Sequence, residues 1–344
     1  MKRFEILTAS QGGHMDMIGF EDKNGKYIDL HTHSTASDGS MTPAELVRHA
    51  HENGLSAVAL TDHDTVAGLE EALEEGARTG IEVIPGVEIS VSLSGWGVQA
   101  RENARGRESR ISRESREDRS HDDFDSAFHE ADRAYEPEMH LLGYFFSGNY
   151  GSIQATLEYL RRKREKRNPR IIERLNEMGI SITMEEVAAK AHGGIVGRAH
   201  IARVLVDKGY AAGIDESFDK YLAVGRPAYV RKDKLTPGQG IAAILQSGGV
   251  PVMAHPIHLG LEPGQLAAVL ERLKAAGLKG IEALYTDNTE EQTRELLELA
   301  EKTGLVVTGG SDFHGTFKPD IKIGVGRGSL RVPESLLESL RACR

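Results

Sequence analysis

The sequence predicts an α/β fold built on a parallel sheet. From Tyr27 onward, short apolar runs alternate with longer amphipathic stretches, the pattern that strand–helix–strand units require. Histidines and acids recur directly after those apolar runs, where an α/β barrel gathers its functional side chains on one face. The chain has 344 residues, 39% apolar and 27% charged, which suits one large α/β domain or a domain plus an insert.

Residues 1–26 lack a clear period and read as an N-terminal extension, with a turn signal at Asn24-Gly25. The first strand is expected over Tyr27–Leu30. Thr42-Pro43 then supplies an N-cap and a first-turn proline for a helix over Pro43–Asn53. A strand over Ala57–Leu60 leads to a helix over Thr65–Thr79, with Asp62 or Asp64 as its N-cap, and a strand over Ile81–Ile84 follows. Residues 101–138 are almost all Arg, Glu, Asp, Ser and Ala and read as a flexible surface loop. His121 and His129 inside it are expected to be solvated, and no catalytic group is assigned to Arg101–Glu136. Residues 150–231 lack strand alternation and read as a small α-helical insert, with helices over Arg161–Glu177, Met184–Ala191 and Arg198–Lys208. Alternation then resumes: helix Gly238–Gln246, strand Val250–Ala254, helix Glu262–Ala276, strand Gly280–Leu284, helix Glu290–Thr303 and strand Leu305–Thr308. The barrel is thus expected from 27–149 and 232–344.

Composition removes several classes. No apolar run is long enough to cross a bilayer, and no apolar stretch follows Met1-Lys2-Arg3 to make a signal peptide. The single cysteine, Cys343, cannot form an internal disulfide or a thiolate zinc cluster, which fits a cytoplasmic protein. A net charge of −10 argues against binding polyanions along the whole chain but leaves room for a local basic pocket. No internal repeat is evident, and nothing implies an obligate protein partner.

The chemistry sits at the strand ends. His31, His33 and Asp38 follow the first strand; Asp62, His63 and Asp64 the second; Glu88 the third. His255 follows Val250–Met253, and Asp312 and His314 follow Leu305–Thr308. Residues i and i+2 of an extended segment point the same way, so His31 and His33 can hold one ion. Carboxylates crowded together repel one another unless a cation compensates them. Nitrogen and oxygen donors without sulfur suit Zn, Mn or Fe. The donors outnumber what one ion needs, so two or three ions are expected. Each fragment alone has a bland reading, as an incidental strand histidine, a buried turn residue or a helix cap. Five strand ends carrying such residues together do not.

The motifs Asp29-Leu30-His31-Thr32-His33-Ser34, Thr61-Asp62-His63-Asp64, Pro85-Gly86-Val87-Glu88, Ala254-His255-Pro256 and Ser311-Asp312-Phe313-His314 resemble those of the PHP (polymerase and histidinol phosphatase) superfamily, in the same order, over about residues 27–330. The resemblance is nearest to the phosphoesterases with a helical insert: nucleoside 3′,5′-bisphosphate phosphatases, related 5′-to-3′ exoribonucleases and cyclic-phosphate dihydrolases. It implies a distorted seven-stranded β/α barrel with up to three metals. It further implies one metal on His31, His33, Glu88 and Asp312. A second would lie on Glu88, His140 and His255, and a third on Asp38, His63 and His314. His140 comes from Met139-His140-Leu141-Leu142-Gly143-Tyr144, which resembles a family segment, although here the charged loop separates it from Glu88.

Gly197-Arg198-Ala199-His200 resembles a family element at a helix start, where an anion is favoured. Arg198 and His200 are expected to contact substrate phosphate, helped by Arg164 or Lys163. The stretch Arg161–Arg167 as a whole reads as a solvated helix face. His49 and His51 read as surface groups, and His192 and His258 carry no assigned role. The expected activity is metal-dependent hydrolysis of a phosphate ester of a small nucleotide, a 3′,5′-bisphosphate or a cyclic phosphate, by a hydroxide bridging two ions. His200 or Asp64 would protonate the leaving group. The alternatives are a 5′-to-3′ exonuclease on short RNA and a non-catalytic interaction module. Hydrolysis of a C–N bond ranks lower, because it has no use for an anion site. Only 6% of residues are aromatic and no basic–aromatic track is visible, which favours a small substrate.

Overall fold

The computed structural model describes residues 25–96, 138–191, 194–231 and 234–344. Residues 1–24 of the N-terminal extension, nearly all of the charged segment, and His121, His129 and His192 lie outside the described residues.

Eight strands form one sheet: β1 (Tyr27–Thr32), β2 (Ala57–Leu60), β3 (Glu82–Ser92), β4 (Glu138–Tyr144), β5 (Val250–Met253), β6 (Gly280–Tyr285), β7 (Val306–Gly310) and β8 (Val332–Pro333), in the order β7-β6-β5-β4-β3-β2-β1-β8. β1, β2 and β3 run parallel, as do β5, β6 and β7. β4 is antiparallel to both β3 and β5, and the short β8 lies antiparallel on β1. The end of β7 returns to β1: Asp312 N–H donates to His31 O at 2.9 Å, and His33 N–H to Phe313 O at 2.9 Å. Gly310 permits this approach, since a Cβ there would lie 2.4 Å from His31 Cβ. Seven strands therefore close into the distorted α/β barrel, with β8 as an appendage.

The helices are α1 (Pro43–Glu52), α2 (Leu69–Thr79), α3 (Gln154–Glu177), α4 (Met184–Lys190), α5 (Arg198–Asp207), α6 (Ile214–Ser217), α7 (Pro237–Gln246), α8 (Pro263–Ala275), α9 (Glu290–Thr303) and α10 (Ser335–Arg341). Thr42 caps α1 in a capping box with Glu45. One expected cap is corrected. α2 starts four residues later than Thr65, with Gly68 at its N-cap and no side-chain bond. Neither Asp62 nor Asp64 caps it, because Asp62 binds Ser34 and Ser37 while Asp64 binds Arg164 and Ser90.

The barrel core packs Ile28, Leu30, Val87, Ile89, Leu141, Val252 and Ile281 against α7, α8 and α9. Leu157 and Leu160 of α3 join this core, whereas Ile171, Ile172 and Leu175 of the same helix join a separate cluster drawn from residues between Ile171 and Val230. One long helix is thus rooted in both cores. Among the described residues no helix is long and apolar enough to cross a membrane.

Candidate metal centre and substrate cleft

The fold brings all nine expected ligands together. β1 and the loop after it deliver His31, His33 and Asp38 to one rim of the barrel, and His63 follows β2; Glu88 was expected after the third strand but lies within the longer β3, bridged there to His63. Because β4 is antiparallel, its beginning lies at that same rim, so His140 faces Ser90, two residues beyond Glu88. His255 follows β5, and Asp312 and His314 follow β7.

Glu88 is the hub. Its Oε2 lies 3.3 Å from His31 Nε2, 3.3 Å from His33 Nε2 and 3.1 Å from His63 Nδ1. Its Oε1 lies 2.7 Å from His140 Nδ1 and 3.0 Å from His255 Nε2. Asp312 Oδ1 is 3.3 Å from His33 Nε2 and 3.6 Å from His31 Nε2. Asp38 lies 3.5 Å from His314 Nε2, 3.7 Å from His33 Nδ1 and 3.9 Å from His63 Nε2. Donor atoms converge in four overlapping sets: His31, His33 and Asp312; His31, Glu88 and His255; His63, Glu88 and His140; and His33, Asp38, His63 and His314. His33 therefore reaches the Asp38 set as well as the Asp312 set.

The donors fit metal ions. His31 Nε2, both ring nitrogens of His33, His63 Nδ1 and Glu88 Oε2 are buried and make no hydrogen bond. Buried polar atoms left unsatisfied are unfavourable; three of these nitrogens converge on Glu88 Oε2, and His33 Nδ1 faces Asp38. Backbone strain gathers here too. Among the described residues the non-glycine residues with positive φ are Asp64, His255 and Asp312, at 52°, 25° and 57°.

Other groups hold the ligands in place. Asp29 accepts from the Ser311 hydroxyl at 2.5 Å and from Gly324 N–H at 2.7 Å, tying β1 to the loop after β7. His314 Nδ1 sits 2.8 Å from Asp312 O, which leaves Nε2 to the cluster. Tyr285 OH donates to Asp312 Oδ2 at 2.9 Å and itself lies 3.1 Å from His258 Nε2. Lys318 Nζ is 2.6 Å from the same Asp312 oxygen. Sequence reasoning missed Tyr285, His258 and Lys318. Only Lys318 left a usable trace, as a cation four residues beyond His314.

Electrostatics follow from this crowding. Burial opposes ionisation of Glu88, but His63, His140 and His31 outweigh it and hold the carboxyl well below its usual range. Burial also opposes charging of the imidazoles. In His33 the facing carboxylates of Asp312 and Glu88 prevail and raise it to about 9, and in His140 the charge of Glu88 and the neighbouring Glu138 raise it to about 10. His63 lies where burial wins and falls to about 3. A pH dependence follows. Against its burial, Glu282 and Glu88 raise His31 well above its usual range too, so His31, His33 and His140 carry protons in the metal-free protein at neutral pH, and a metal binds only neutral imidazole. Metal binding should therefore expel up to three protons, and affinity should rise by about tenfold per pH unit for each proton expelled, from about pH 7 to 8.5. The metal-free fold behaves oppositely: these raised imidazoles stabilise it fully below pH 6.5, and the benefit disappears as pH climbs through about 9 to 10. Calorimetry in buffers of differing ionisation enthalpy counts the protons; a pH-independent affinity would contradict the assignment.

Beside the centre lies a cleft of about 1650 Å³, walled by the barrel rim and by residues of 198–226. Arg198, Arg203, Arg226, Lys318 and Arg327 line it, together with Phe218, Phe317, Leu261 and Tyr285. Arg198 is braced before any ligand arrives. Its guanidinium lies 3.6 Å from Glu138, donates to Leu222 O at 3.2 Å and stacks near Phe218 and Tyr229. Glu138 also pairs with buried Lys234 at 3.0 Å and lies 3.6 Å from His140 Nε2, linking the cation to a metal ligand.

The remaining expected contacts divide. Arg164 reaches the site, with Nη2 2.5 Å from Asp64. Lys163 instead lies over the Tyr159 ring at 5.2 Å. Arg161 and Arg162 pair with Glu158, so most of this stretch is the solvated face expected. His200 is buried at the start of α5; its Nδ1 accepts from Gly197 N–H at 3.0 Å, placing a neutral ring's proton on Nε2. Arg167 corrects the solvated reading at its end of the stretch: it is buried, donates to its neighbour Asn168 and is pushed down to about 9 by burial and by Arg198 and Arg164.

The chain is similar to known proteins over most of its length. Residues 29–224 match the PHP domain family. A 5′-3′ exoribonuclease of Haemophilus influenzae is 31% identical over 84% of this chain and 90% of its own. A 3′,5′-nucleoside bisphosphate phosphatase of Chromobacterium violaceum is 29% identical over 83% and 87%. A solved structure from Bifidobacterium adolescentis, assigned as a metal-dependent phosphoesterase, superposes with a TM-score of 0.72 at 27% identity, covering 93% of this chain and 96% of that one. A match of this extent makes the chain a member of the PHP domain family and a phosphoric ester hydrolase of that family.

Proposed function

We propose that the chain removes phosphate from a small nucleotide, a nucleoside 3′,5′-bisphosphate first, within the cytoplasm. One observation carries this: two of the lining cations stand beside the candidate ligands, Lys318 on Asp312 at 2.6 Å and Arg198 on Glu138, which neighbours His140, while the other side chains of the cleft wall are of mixed charge. Arg203 and Arg327 are each held by an aspartate, at 3.0 and 2.8 Å. Asp215, Glu295 and Asp320 also line that wall. Such a cleft suits one or two phosphates near the rim, not a long anionic strand. Residues 27–149 and 232–344 supply the metal centre in this reading, and residues 150–231 supply Arg164, Arg198 and His200.

The nine ligands would hold two or three ions among Mn, Zn and Fe. Bound there, the ions would lower the pKa of water and neutralise the phosphoryl oxygens. The chain does the rest. Arg198 and Lys318 would bind the phosphate and orient it for in-line attack. Asp64 holds Arg164 in place. His200, with a proton on Nε2, is the better donor to the leaving oxygen, since Asp64 accepts from both Arg164 and Ser90.

The second reading is 5′-to-3′ degradation of short RNA, favoured by the activity named for the Haemophilus relative. One assay decides. Metal-loaded protein is given adenosine 3′,5′-bisphosphate, a 2′,3′-cyclic nucleotide and a short 5′-phosphorylated RNA side by side. Fastest chelator-sensitive release from the bisphosphate is expected. Preference for the RNA or the cyclic ester would replace the proposal.

A further inference from the structure

Strand β6 contributes no ligand, yet it carries Glu282, a fully buried carboxylate in the apolar run Gly280-Ile281-Glu282-Ala283-Leu284. A buried carboxylate is unfavourable unless its oxygens are satisfied. Both are, and both by metal-ligand residues. Oε1 lies 3.0 Å from His31 Nδ1, and Oε2 accepts from His255 N–H at 2.8 Å. Other buried acids here serve differently: Asp62 binds Ser34 and Ser37, and Asp29 binds Ser311, Gly324 and His31 N–H.

We propose that Glu282 is a positioning residue of the metal centre, fixing the ring of His31 and the backbone of His255 at once. The inference rests on the metal centre described above. As an acceptor, Glu282 keeps the proton of a neutral His31 on Nδ1, which presents the bare Nε2 to Glu88 and Asp312 at 3.3 and 3.6 Å. The opposite tautomer would aim an N–H at the position a metal must take. The second contact holds His255 at φ 25°, a strained conformation that turns its ring onto Glu88. His31 and His255 belong to one donor set with Glu88, so a single side chain aligns two of its three members.

Both partners demand an acceptor, and this makes the idea testable. Glutamine has nearly the same size but one oxygen and one NH2. Whichever way it turns, it opposes an N–H with an N–H, or it forces His31 into the wrong tautomer. The experiment titrates metal-free full-length protein with Co²⁺ against a chromophoric chelator, reading the visible cobalt bands and the thermal midpoint of the metal-free form. For Glu282→Gln we expect about 10- to 100-fold weaker binding at one site with altered bands. The metal-free midpoint should fall too, because a buried N–H is left facing an N–H, so the loss at one site and the altered bands carry the test for this variant. Glu282→Asp keeps two acceptors on a shorter arm and should fall between. If the glutamine variant does not fold, the aspartate variant decides: weaker Co²⁺ binding at an unchanged midpoint supports positioning. Wild-type affinity and bands in a folded variant would overturn it. Failure of the wild-type protein itself to bind Co²⁺ would overturn the metal centre, and this inference with it.

Discussion

Glu88→Gln should lower turnover by about 10³-fold or more, equivalent to about 4 kcal/mol of transition-state stabilisation, while leaving the barrel folded. Among the described residues Glu88 is the carboxylate nearest the most candidate ligands: five imidazoles lie between 2.7 and 3.3 Å from its two oxygens. Glutamine fills the same space but removes the charge that offsets neighbouring ions. It can offer only one acceptor where the structure uses both oxygens. Metal content should therefore fall by at least one ion per chain, in step with activity. The metal-free form should change as well. The Glu88 charge is a large part of what raises His140 to about 10 and His33 to about 9. Without it those imidazoles lose their protons at lower pH, and fewer protons are expelled on metal binding. Full metal content with activity within tenfold of wild type would refute the hub role.

The convergence of the candidate ligands was legible because the barrel converts a sequence regularity into a place. Residues that follow strands Ala57–Leu60 and Val250–Met253 share a rim whatever their separation along the chain. β4 was harder. Its apolar core resembles any buried segment, and its antiparallel direction depends on the sheet around it. That direction puts His140 at the rim from the beginning of a strand rather than its end. Glu282 and Tyr285 were not legible as site residues, because support for a ligand has no spacing rule. The only trace of Glu282 is an acid inside an apolar run. Asp62 and Asp64 illustrate the reverse error. Each looked like a local helix cap, and each is used by residues far along the chain, Ser34 and Ser37 in one case and Arg164 in the other.

Arg198→Ala should lower kcat/KM by about 100-fold, or about 2.7 kcal/mol, the scale for removing one charged donor from a developing phosphoryl charge. Metal content should not change, because Arg198 touches no ligand directly; its link to His140 runs through Glu138, and Glu138 retains Lys234. This separates the variant from Glu88→Gln, where metal and activity fall together. Loss of a contact made only to the ground-state phosphate would raise KM alone, whereas a transition-state contact lowers kcat. The bracing of Arg198 by Glu138, Leu222 O, Phe218 and Tyr229 predicts the second outcome, since a preorganised cation need not reorganise as charge develops. Arg198→Lys should recover little of the loss. A lysine keeps the charge but not the planar fork that the carbonyl, carboxylate and two rings hold in place. Full activity in Arg198→Lys would show that the site needs only a diffuse positive charge there. Unchanged kcat/KM in Arg198→Ala would remove Arg198 from the substrate site and leave Lys318 as the cation that meets the phosphate.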